Sequence, residues 1–423
     1  MKTSTVNTLL KKKIIKVITL LLLVRLGLYI PVPNVDLDIF SEGQVLNPIF
    51  GFARNLTGSS FLGIGSLGIL PYINSSIIIQ LLVSVLPNLE RLQKEEGELG
   101  RQKISQYTRY LTFAWAVILS TAIALFLVKP IQFNWNNFLA LKIIISLTVG
   151  SLLSMWFAEL ITEEKLGNGS SMIIFINIVG TIPTSFTEFI KKLGDISYTE
   201  LLFLIAKSSL VYFLIVLVII LFQDAYKKIT IVSAKQLNFN YSDSTIPQSN
   251  KLKDSYIPIK LNQGGIMPLV FSSTIATFLY YPIQILLNLT LGQTALVTSL
   301  MTFYSFGLNI VLVTFFSVFY ALLVLKPNDI AQNLAKMTYT IPGIRQGNQT
   351  TQYLKQTVSR LAFVGGLFLA VLAFCPLFLS NFFGFNLFKN VTSLLILVGV
   401  ITDTTTQIRG YLISRNYEGF KKA

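Results

Sequence analysis

The side chains that most often perform catalysis or bind metals are almost absent from this chain. Its 423 residues include no histidine, and the one cysteine, Cys375, lies in an apolar run beside Pro376. Histidine is the commonest general base and metal ligand, so its absence excludes histidine-triad and most metalloenzyme mechanisms. A single cysteine also excludes a disulfide framework or a cysteine-based metal cluster. The sequence therefore predicts a protein that is not an enzyme, with no catalytic residue, metal site or cofactor.

Motifs that bind nucleotides are missing as well. The chain has no phosphate-binding loop of the GxxxxGK[ST] kind and no dinucleotide glycine fingerprint. Energy for any transport would therefore come from a partner or an ion gradient. Secondary transporters commonly couple to ions through carboxylates or histidines within spans. The main candidates here, Glu159 and Asp403, lie near the basic face of the predicted topology, which argues against ion coupling.

A glycine-rich segment, Gly58–Gly68, is apolar enough to enter a membrane but too short to cross one. Backbone at membrane depth must be covered by protein or water, so one interpretation is a plug-like insertion into a helix bundle. The alternative is a flexible loop outside the membrane. Composition leaves both interpretations open.

Two isoleucines four residues apart, Ile69 and Ile73, follow this segment and share one helical face with polar neighbours such as Asn74. Polar groups within a span tend to face a cavity or another helix. An isoleucine facing a cavity would form a hydrophobic constriction that holds back water and ions. Packing or lipid contact is the alternative role for any single isoleucine.

Three smaller features also have two interpretations each. Arg25 lies deep in the first apolar run, where it is either functional or extends towards the interface. The segment Gly167–Ser171 is typical of a tight turn and helix cap, and a hinge is the alternative. Arg345, in a proline-glycine turn, is either a contact residue or a solvated charge.

Long apolar runs are the elements that must position these residues. The chain is 52% apolar and 13% charged, with a mean hydropathy of +0.64, whereas a soluble domain carries about 25% charged residues. Runs long enough to cross about 30 Å of lipid predict an all-α membrane protein with ten transmembrane helices. The predicted spans are residues 14–32, 69–87, 107–128, 138–161, 170–190, 201–222, 264–289, 295–325, 358–380 and 391–412.

The distribution of basic residues predicts the orientation of these spans. The net charge is +15, and alternate connections, together with both termini, hold 26 basic residues against 7 on the opposite side. Both termini are therefore expected on the cytoplasmic or stromal side. Ten spans then divide into two halves of five that enter the membrane from opposite faces, as in an inverted repeat.

The predicted domains are an N-terminal half (1–222), which holds the first five spans and the sixth span that starts the second half, a polar loop (223–263) and a C-terminal half (264–423) that contains a second long loop (326–360). In the first loop, Ile229–Val232 and Tyr256–Lys260 alternate in polarity and predict a hairpin. We expect the two loops to extend from the membrane as two basic fingers.

Several longer motifs resemble those of the SecY family, the channel subunits of the Sec protein translocase. The resemblance runs from the first span to the last and covers essentially the whole chain. The segments that carry it are Val24–Pro33, Ile69–Gln80, Glu95–Tyr110, Leu166–Ser171, Ile341–Thr350 and Thr392–Ile396.

The resemblance implies two inverted five-helix halves around a pore that a re-entrant plug helix and an aliphatic ring close at rest. It therefore favours the plug interpretation of the glycine-rich segment. The ring would consist of Ile69, Ile73, Ile174, Val270 and Ile396. The plug would consist of Ser60, Phe61, Leu62, Gly63, Ile64, Gly65, Ser66 and Leu67. The lateral gate to lipid would include Gln80, Ser272, Ser273 and Thr274. Contacts with a motor or ribosome would involve Arg345, Lys227, Lys228 and Lys336.

The implied function is to translocate unfolded polypeptides and to insert membrane proteins laterally into lipid. Implied partners are a SecE-like small subunit, a SecG-like subunit as a further candidate, a SecA motor ATPase, the ribosome, signal sequences and unfolded polypeptides. A secondary transporter of a small solute and a membrane scaffold are the alternatives. Lysine outnumbers arginine 25 to 9, which suggests an A/T-rich genome such as that of a plastid. We therefore expect a multi-pass protein of the thylakoid membrane, with a bacterial plasma membrane as the alternative.

Overall fold

A computed structural model gives the fold of the chain. It describes residues 2–33, 35, 63–95, 97–129, 132, 135–192, 198–233, 255–265, 267–272, 275–276, 279, 283, 295–383 and 391–421. The predicted plug residues Ser60, Phe61 and Leu62 and the predicted gate residues Ser273 and Thr274 lie outside this part of the chain. Two compact units are present, Met1–Ser197 with Val400–Ala423, and Tyr198–Gly399. We call them the first and the second unit.

The first unit is helical throughout most of its described length. Its helices are α1 (Lys2–Tyr29), α2 (Leu70–Val85), α3 (Pro87–Glu95), α4 (Gly97–Ile123), which continues as a π-helical turn (Ala124–Val128), α5 (Asn137–Glu163) and α6 (Gly169–Lys192). Helices α2 and α3 meet at a bend of 104°. Leu86 is extended at this bend because Pro87 disfavours a helical conformation in the residue before it.

Four helices and four short strands can be described in the second unit, and a fifth helix is shared between the units. They are α7 (Tyr198–Asp224), β1 (Tyr226–Thr230), β2 (Val232–Ser233), β3 (Tyr256–Lys260), α8 (Ala295–Leu325), α9 (Pro327–Lys336), β4 (Tyr339–Thr340), α10 (Asn348–Phe383) and α11 (Val391–Lys421). The last part of α11, from Val400 onward, belongs to the first unit.

Helices lie at nine of the ten predicted spans. The seventh predicted span, 264–289, is described only in pieces, and residues 267–272 of it are helical. By length and hydropathy alone, three helices of the described chain could cross a membrane, within Asn137–Glu163, Tyr304–Lys336 and Asn348–Ala373. The bent pair of α2 and α3 would make a fourth.

A buried apolar cluster organises the first unit around the glycine-rich segment. Helix α5 and the π-helical turn supply most of its side chains, and Leu67 comes from the glycine-rich segment itself. The buried members are Val32, Val35, Leu67, Ala124, Val128, Ile143 and Leu147. Burial of Leu67 among these aliphatic groups holds the described part of the segment, residues 63–68, within the first unit.

Two apolar clusters organise the second unit. One joins α7, α8, α10 and the start of α11 through side chains such as Ile219, Leu369 and Leu395. The other lies where the two long loops leave the helices, and its centre includes Ile229, Ile259 and Leu354. The second cluster is the core of a small structure that we call the loop platform, consisting of residues 226–233, 255–260 and 327–347.

The strands of the loop platform pair in two antiparallel ladders. Strand β1 pairs with β3, with Ile229 opposite Ile257 and Lys227 opposite Ile259. The predicted hairpin is thus confirmed, although its first strand begins three residues earlier than predicted. Strand β2 pairs with β4, Val232 opposite Thr340. The expectation of two separate fingers is therefore wrong for the described parts of the loops, because backbone hydrogen bonds join them.

Candidate functional site

The described part of the predicted plug is held by backbone hydrogen bonds to the end of α1. The amide of Ile64 donates to the carbonyl of Ile30 (2.8 Å), and the amide of Gly65 donates to the carbonyl of Gly27 (3.0 Å). Gly63 forms a bridge and residues 64–69 form turns. The prediction of a plug helix is therefore wrong for residues 63–67: the amides of Ile64 and Gly65 pair with the backbone around the end of α1, and the amide of Ser66 only closes a turn on the carbonyl of Gly63 (3.0 Å).

Glycines allow this segment to approach its neighbours more closely than any other residue would. A Cβ built on Gly63 would lie 2.1 Å from the carbonyl oxygen of Leu28, and one built on Gly150 of α5 would lie 2.0 Å from the carbonyl oxygen of Ile64. Real Cβ atoms essentially never come this close to another atom. The segment is thus held between α1 and α5 by contacts that need a bare backbone on both sides.

All five predicted ring residues are buried. Ile69, Ile73 and Ile174 belong to the first unit and expose 3%, 2% and 4% of their surface. Ile69 ends the turn that follows the glycine-rich segment, and the amide of Ile73 donates to its carbonyl (3.1 Å). The plug segment and two of the predicted ring residues are therefore consecutive parts of one local structure. Val270 and Ile396 belong to the second unit and expose 3% and 6%.

Two of the predicted gate residues are described, one in each unit. Gln80 lies on the exposed side of α2, where its amide nitrogen donates to the hydroxyl of Ser76 (3.3 Å). Ser272 is buried, and its hydroxyl donates to the carbonyl of Leu269 (3.0 Å). Both are polar groups within helical segments of the kind that face a cavity or another helix.

The predicted contact residue Arg345 is exposed at the tip of an anchored turn. Buried Ile341 and partly buried Ile344, which both precede Arg345, pack into the core of the loop platform. Gly343 and Gly347 adopt positive φ angles of 80° and 99°, which glycine adopts without strain. The carbonyl of Arg345 accepts a hydrogen bond from the hydroxyl of Thr350 (2.8 Å). The fold therefore presents a fixed backbone with a charged side chain directed outward.

The three predicted contact lysines are exposed on the same platform. The ammonium of Lys228 lies 5.8 Å from the ring centroid of Tyr226 and 5.0 Å from that of Tyr256. Such cation–π contacts hold the charge on the outer face of the hairpin. Lys336 occupies the last turn of α9, where a cation interacts favourably with the helix dipole. The loop platform therefore gathers Lys227, Lys228, Lys336 and Arg345 on one small folded structure.

The carboxylate of Glu159, in α5, is engaged in an ion pair. Both of its oxygens contact the guanidinium of Arg109, at 3.0 Å to Nε and 2.8 Å to the terminal nitrogen. This bidentate geometry joins α4 to α5 within the first unit. The pairing accounts for Glu159 without ion coupling and supplies a structural contact that the sequence analysis missed.

The side chain of Arg25, in α1, packs against Gly180 of α6. A Cβ built on Gly180 of α6 would lie 2.0 Å from a terminal nitrogen of Arg25, so Gly180 provides the space that the guanidinium occupies. The ring of Tyr29 lies 5.6 Å from the guanidinium carbon. The Nη1 atom of Arg25 is buried without a hydrogen-bond partner in the described chain. Arg25 is thus packed against α6 rather than extended towards an interface.

The connection between α5 and α6 is the predicted turn and helix cap. Asn168 Oδ1 accepts the amide of Ser170 (3.1 Å), and Thr162 Oγ1 accepts the amide of Gly169 (2.9 Å). Glu164, at the start of this connection, pairs with Lys16 and Lys13 of α1. The hydrogen bond from Lys16, aided by the charge of both lysines, lowers the pKa of the Glu164 carboxyl. These ion pairs of Glu164 join α1 to the end of α5.

No group of three or more histidine, cysteine, aspartate or glutamate side chains that could hold a metal ion occurs among the residues that the structure describes.

The family model described as SecY matches residues 63–405. The chain belongs to the SecY family. A protein translocase subunit SecY of Emiliania huxleyi is 65% identical over 100% of both chains. The subunit of Guillardia theta is 41% identical over 97% of this chain and 96% of its own, and that of Synechocystis is 39% identical over 98% and 94%.

The fold is also similar to that of solved structures. The structure of a protein-conducting channel superposes with a TM-score of 0.60 and 14% identity, covering 93% of this SecY chain and 91% of its own. Sec61 in a canine ribosome–channel complex superposes with a TM-score of 0.58 and 14% identity, covering 94% and 92%. At this level of identity the likeness concerns the fold alone.

Proposed function

We propose that this SecY chain is the channel subunit of a protein translocase, which moves unfolded polypeptides across a membrane and releases membrane segments sideways into lipid. The observation that carries the proposal is the seating of residues 63–69. An apolar, glycine-rich turn is held by backbone contacts inside the first unit and leads directly into the buried pair Ile69 and Ile73. A resting seal requires this combination of a removable segment and an aliphatic constriction.

The passage of an unfolded polypeptide determines what the channel interior must be like. Unsatisfied backbone groups in hydrocarbon cost several kcal/mol each, so the passage must be wet on both sides of a narrow apolar seal. Flexible aliphatic side chains close around many different chains without binding any of them. In our proposal Ile69, Ile73, Ile174, Val270 and Ile396 form this ring, and the segment that includes Gly63–Leu67 closes it at rest.

The proposed architecture comprises ten spans in two inverted halves of five, with both termini on the basic side. It is supported by helices at nine of the predicted spans and by the 26 to 7 distribution of basic residues. The proposed division into 1–222, 223–263 and 264–423 places the loop platform on the same basic side. The proposed lateral gate runs between α2, with Gln80, and the helical segment around Ser272, Ser273 and Thr274.

The loop platform is the proposed docking surface for a SecA-like motor or a ribosome. Its exposed charges suit either the phosphates of ribosomal RNA or an acidic protein surface. The turn with Arg345 would contact the motor, and Lys227, Lys228 and Lys336 would add attraction. A SecE-like small subunit and a SecG-like subunit complete the proposed complex, which would engage signal sequences and membrane lipid.

We place this complex in the thylakoid membrane, with its termini in the stroma. Its relatives from algae and from a cyanobacterium support this location. The excess of lysine over arginine fits a plastid genome. A bacterial plasma membrane is the alternative, and membrane fractionation followed by immunodetection distinguishes the two.

The secondary-transporter alternative receives no support from the family, and the ion pair of Glu159 removes one of its coupling candidates. Reconstitution tests the choice. The chain is purified with its copurifying subunits into liposomes, supplied with a motor ATPase and ATP, and assayed for protease protection of an unfolded preprotein. We expect protection that depends on the motor. Proton- or sodium-coupled uptake of a small solute without any partner would overturn the proposal.

A further inference from the structure

The seat of residues 63–68 has two sides, one at the end of α1 and the other on α5. On the first side the carbonyls of Gly27 and Ile30 accept hydrogen bonds from the segment. The second side is a bare stretch of α5 at Gly150, which the carbonyl of Ile64 approaches so closely that a Cβ there would lie 2.0 Å from the oxygen and 2.7 Å from its carbon. A side chain at position 150 cannot coexist with the seated segment.

The nearest contacts of a Cβ at position 150 would all be with Ile64. Gly150 lies in the interior of α5, where glycine is less favourable than alanine by roughly 0.5–1 kcal/mol. The close approach of Ile64 therefore offsets the loss of helix stability that glycine causes at this position.

The segment also carries a feature that weakens its own attachment. The hydroxyl of Ser66 is buried and has no hydrogen-bond partner among the described residues. An unsatisfied buried hydroxyl disfavours the seated state. The segment is therefore held by its two backbone hydrogen bonds and by close packing, and the packing makes it sensitive to steric changes at Gly150.

We propose that Gly150 is the positioning residue of the resting seal: its bare backbone on α5 forms a notch that receives Ile64 and sets whether the segment can be seated. This inference rests on the proposed channel function and deepens it. It assigns the control of the closed state to a residue outside the segment and outside the aliphatic ring.

The chain offers a direct reporter of seating because it contains one cysteine. Cys375 is replaced by alanine and Ser66 by cysteine, and the complex is reconstituted into liposomes. Labelling of position 66 by a membrane-impermeant maleimide, applied to both faces, then measures departure of the segment from its seat. In the parent we expect slow labelling, because the Ser66 hydroxyl is buried.

Two alanine substitutions form the matched comparison. Gly150→Ala is expected to raise the labelling rate at least about tenfold, since overpacking a closely packed site is strongly unfavourable. Gly307→Ala is the control, because Gly307 lies in the interior of α8, takes no part in the seat, and a Cβ there meets nothing within 4 Å. Both changes raise helix propensity alike, so only the steric effect at Gly150 separates them. Equal labelling of the two variants would overturn the inference.

A second pair of variants separates unseating from misfolding. Gly63→Ala makes a comparable clash, against Leu28, from the segment's side of the contact and should also raise labelling. In a chain lacking residues 60–67, Gly150→Ala should not increase ion leak further, since nothing is left to unseat. Additional leak in that background would refute the positioning role. Motor-driven translocation by the parent complex is measured in parallel, so that failure of the channel function and failure of the notch are distinguishable.

Discussion

Truncation of Leu67 tests the resting seal with a magnitude that follows from its burial. Leu67 exposes 4% of its surface and packs against side chains of α5 and the π-helical turn. Leu67→Ala removes three buried carbons, each worth about 0.8 kcal/mol on transfer from water, or about 2.4 kcal/mol in all. The same change costs little once the segment has left its seat. The ratio of seated to unseated channels should therefore fall about 50-fold.

Ion leak through reconstituted complexes in the absence of motor and substrate measures this ratio. We expect the leak per channel to rise towards that of a variant lacking residues 60–67, which sets the upper limit. The matched control is Leu354→Ala, which truncates an equally buried leucine in the core of the loop platform. If Leu67→Ala leaks no more than the parent while the deletion variant leaks strongly, the assignment of Leu67 to the seal is refuted.

Three further predictions concern other parts of the molecule. Ile73→Gly should make resting membranes permeable to ions, and unchanged single-channel baselines would count against a role in the ring. Arg345→Glu should reduce motor-driven secretion by about tenfold or more through like-charge repulsion, while membrane insertion stays intact; equal loss of both activities would argue for a folding defect. Glu164→Gln should lower the stability of the purified complex by roughly 0.5 kcal/mol at pH 7. The pKa of Glu164 lies below its ordinary value of 4.5, so this stabilisation is present above pH 4.5 and is lost as the pH falls through the lowered pKa. Melting curves of the two proteins should accordingly converge in acid, and a gap that persists there would contradict the ion pair as the cause.

Helix positions could be predicted because the relevant signal is local. Apolar runs of about 20 residues and clustered basic residues lie within short windows of sequence, and helices are found at nine of the predicted spans. The turn and cap at Gly167–Ser171 follow from residue types that favour those conformations, and the structure confirms them.

Contacts between distant residues could not be predicted in the same way. The pairing of β2 with β4 involves positions about 108 residues apart, and two-residue strands leave no periodic signal. The prediction of a plug helix failed for residues 63–67 because a glycine-rich segment has little preference of its own, and the backbone around the end of α1 supplied partners for the amides of Ile64 and Gly65. Gly150 showed only as a small residue in an apolar run, since a glycine's steric role depends on what approaches it.

The ladder between β2 and β4 has a mechanical consequence for any partner that works on this protein. Strand β1 follows α7 almost directly, and the turn that carries Arg345 leads from β4 into α10. Force applied to that turn is transmitted through the β2–β4 ladder and the isoleucines of the apolar core. It therefore acts on the end of α7 and on the start of α10 together. A motor protein bound to this turn would therefore pull on a paired and packed structure, and little of its movement would be lost in extending an unpaired loop.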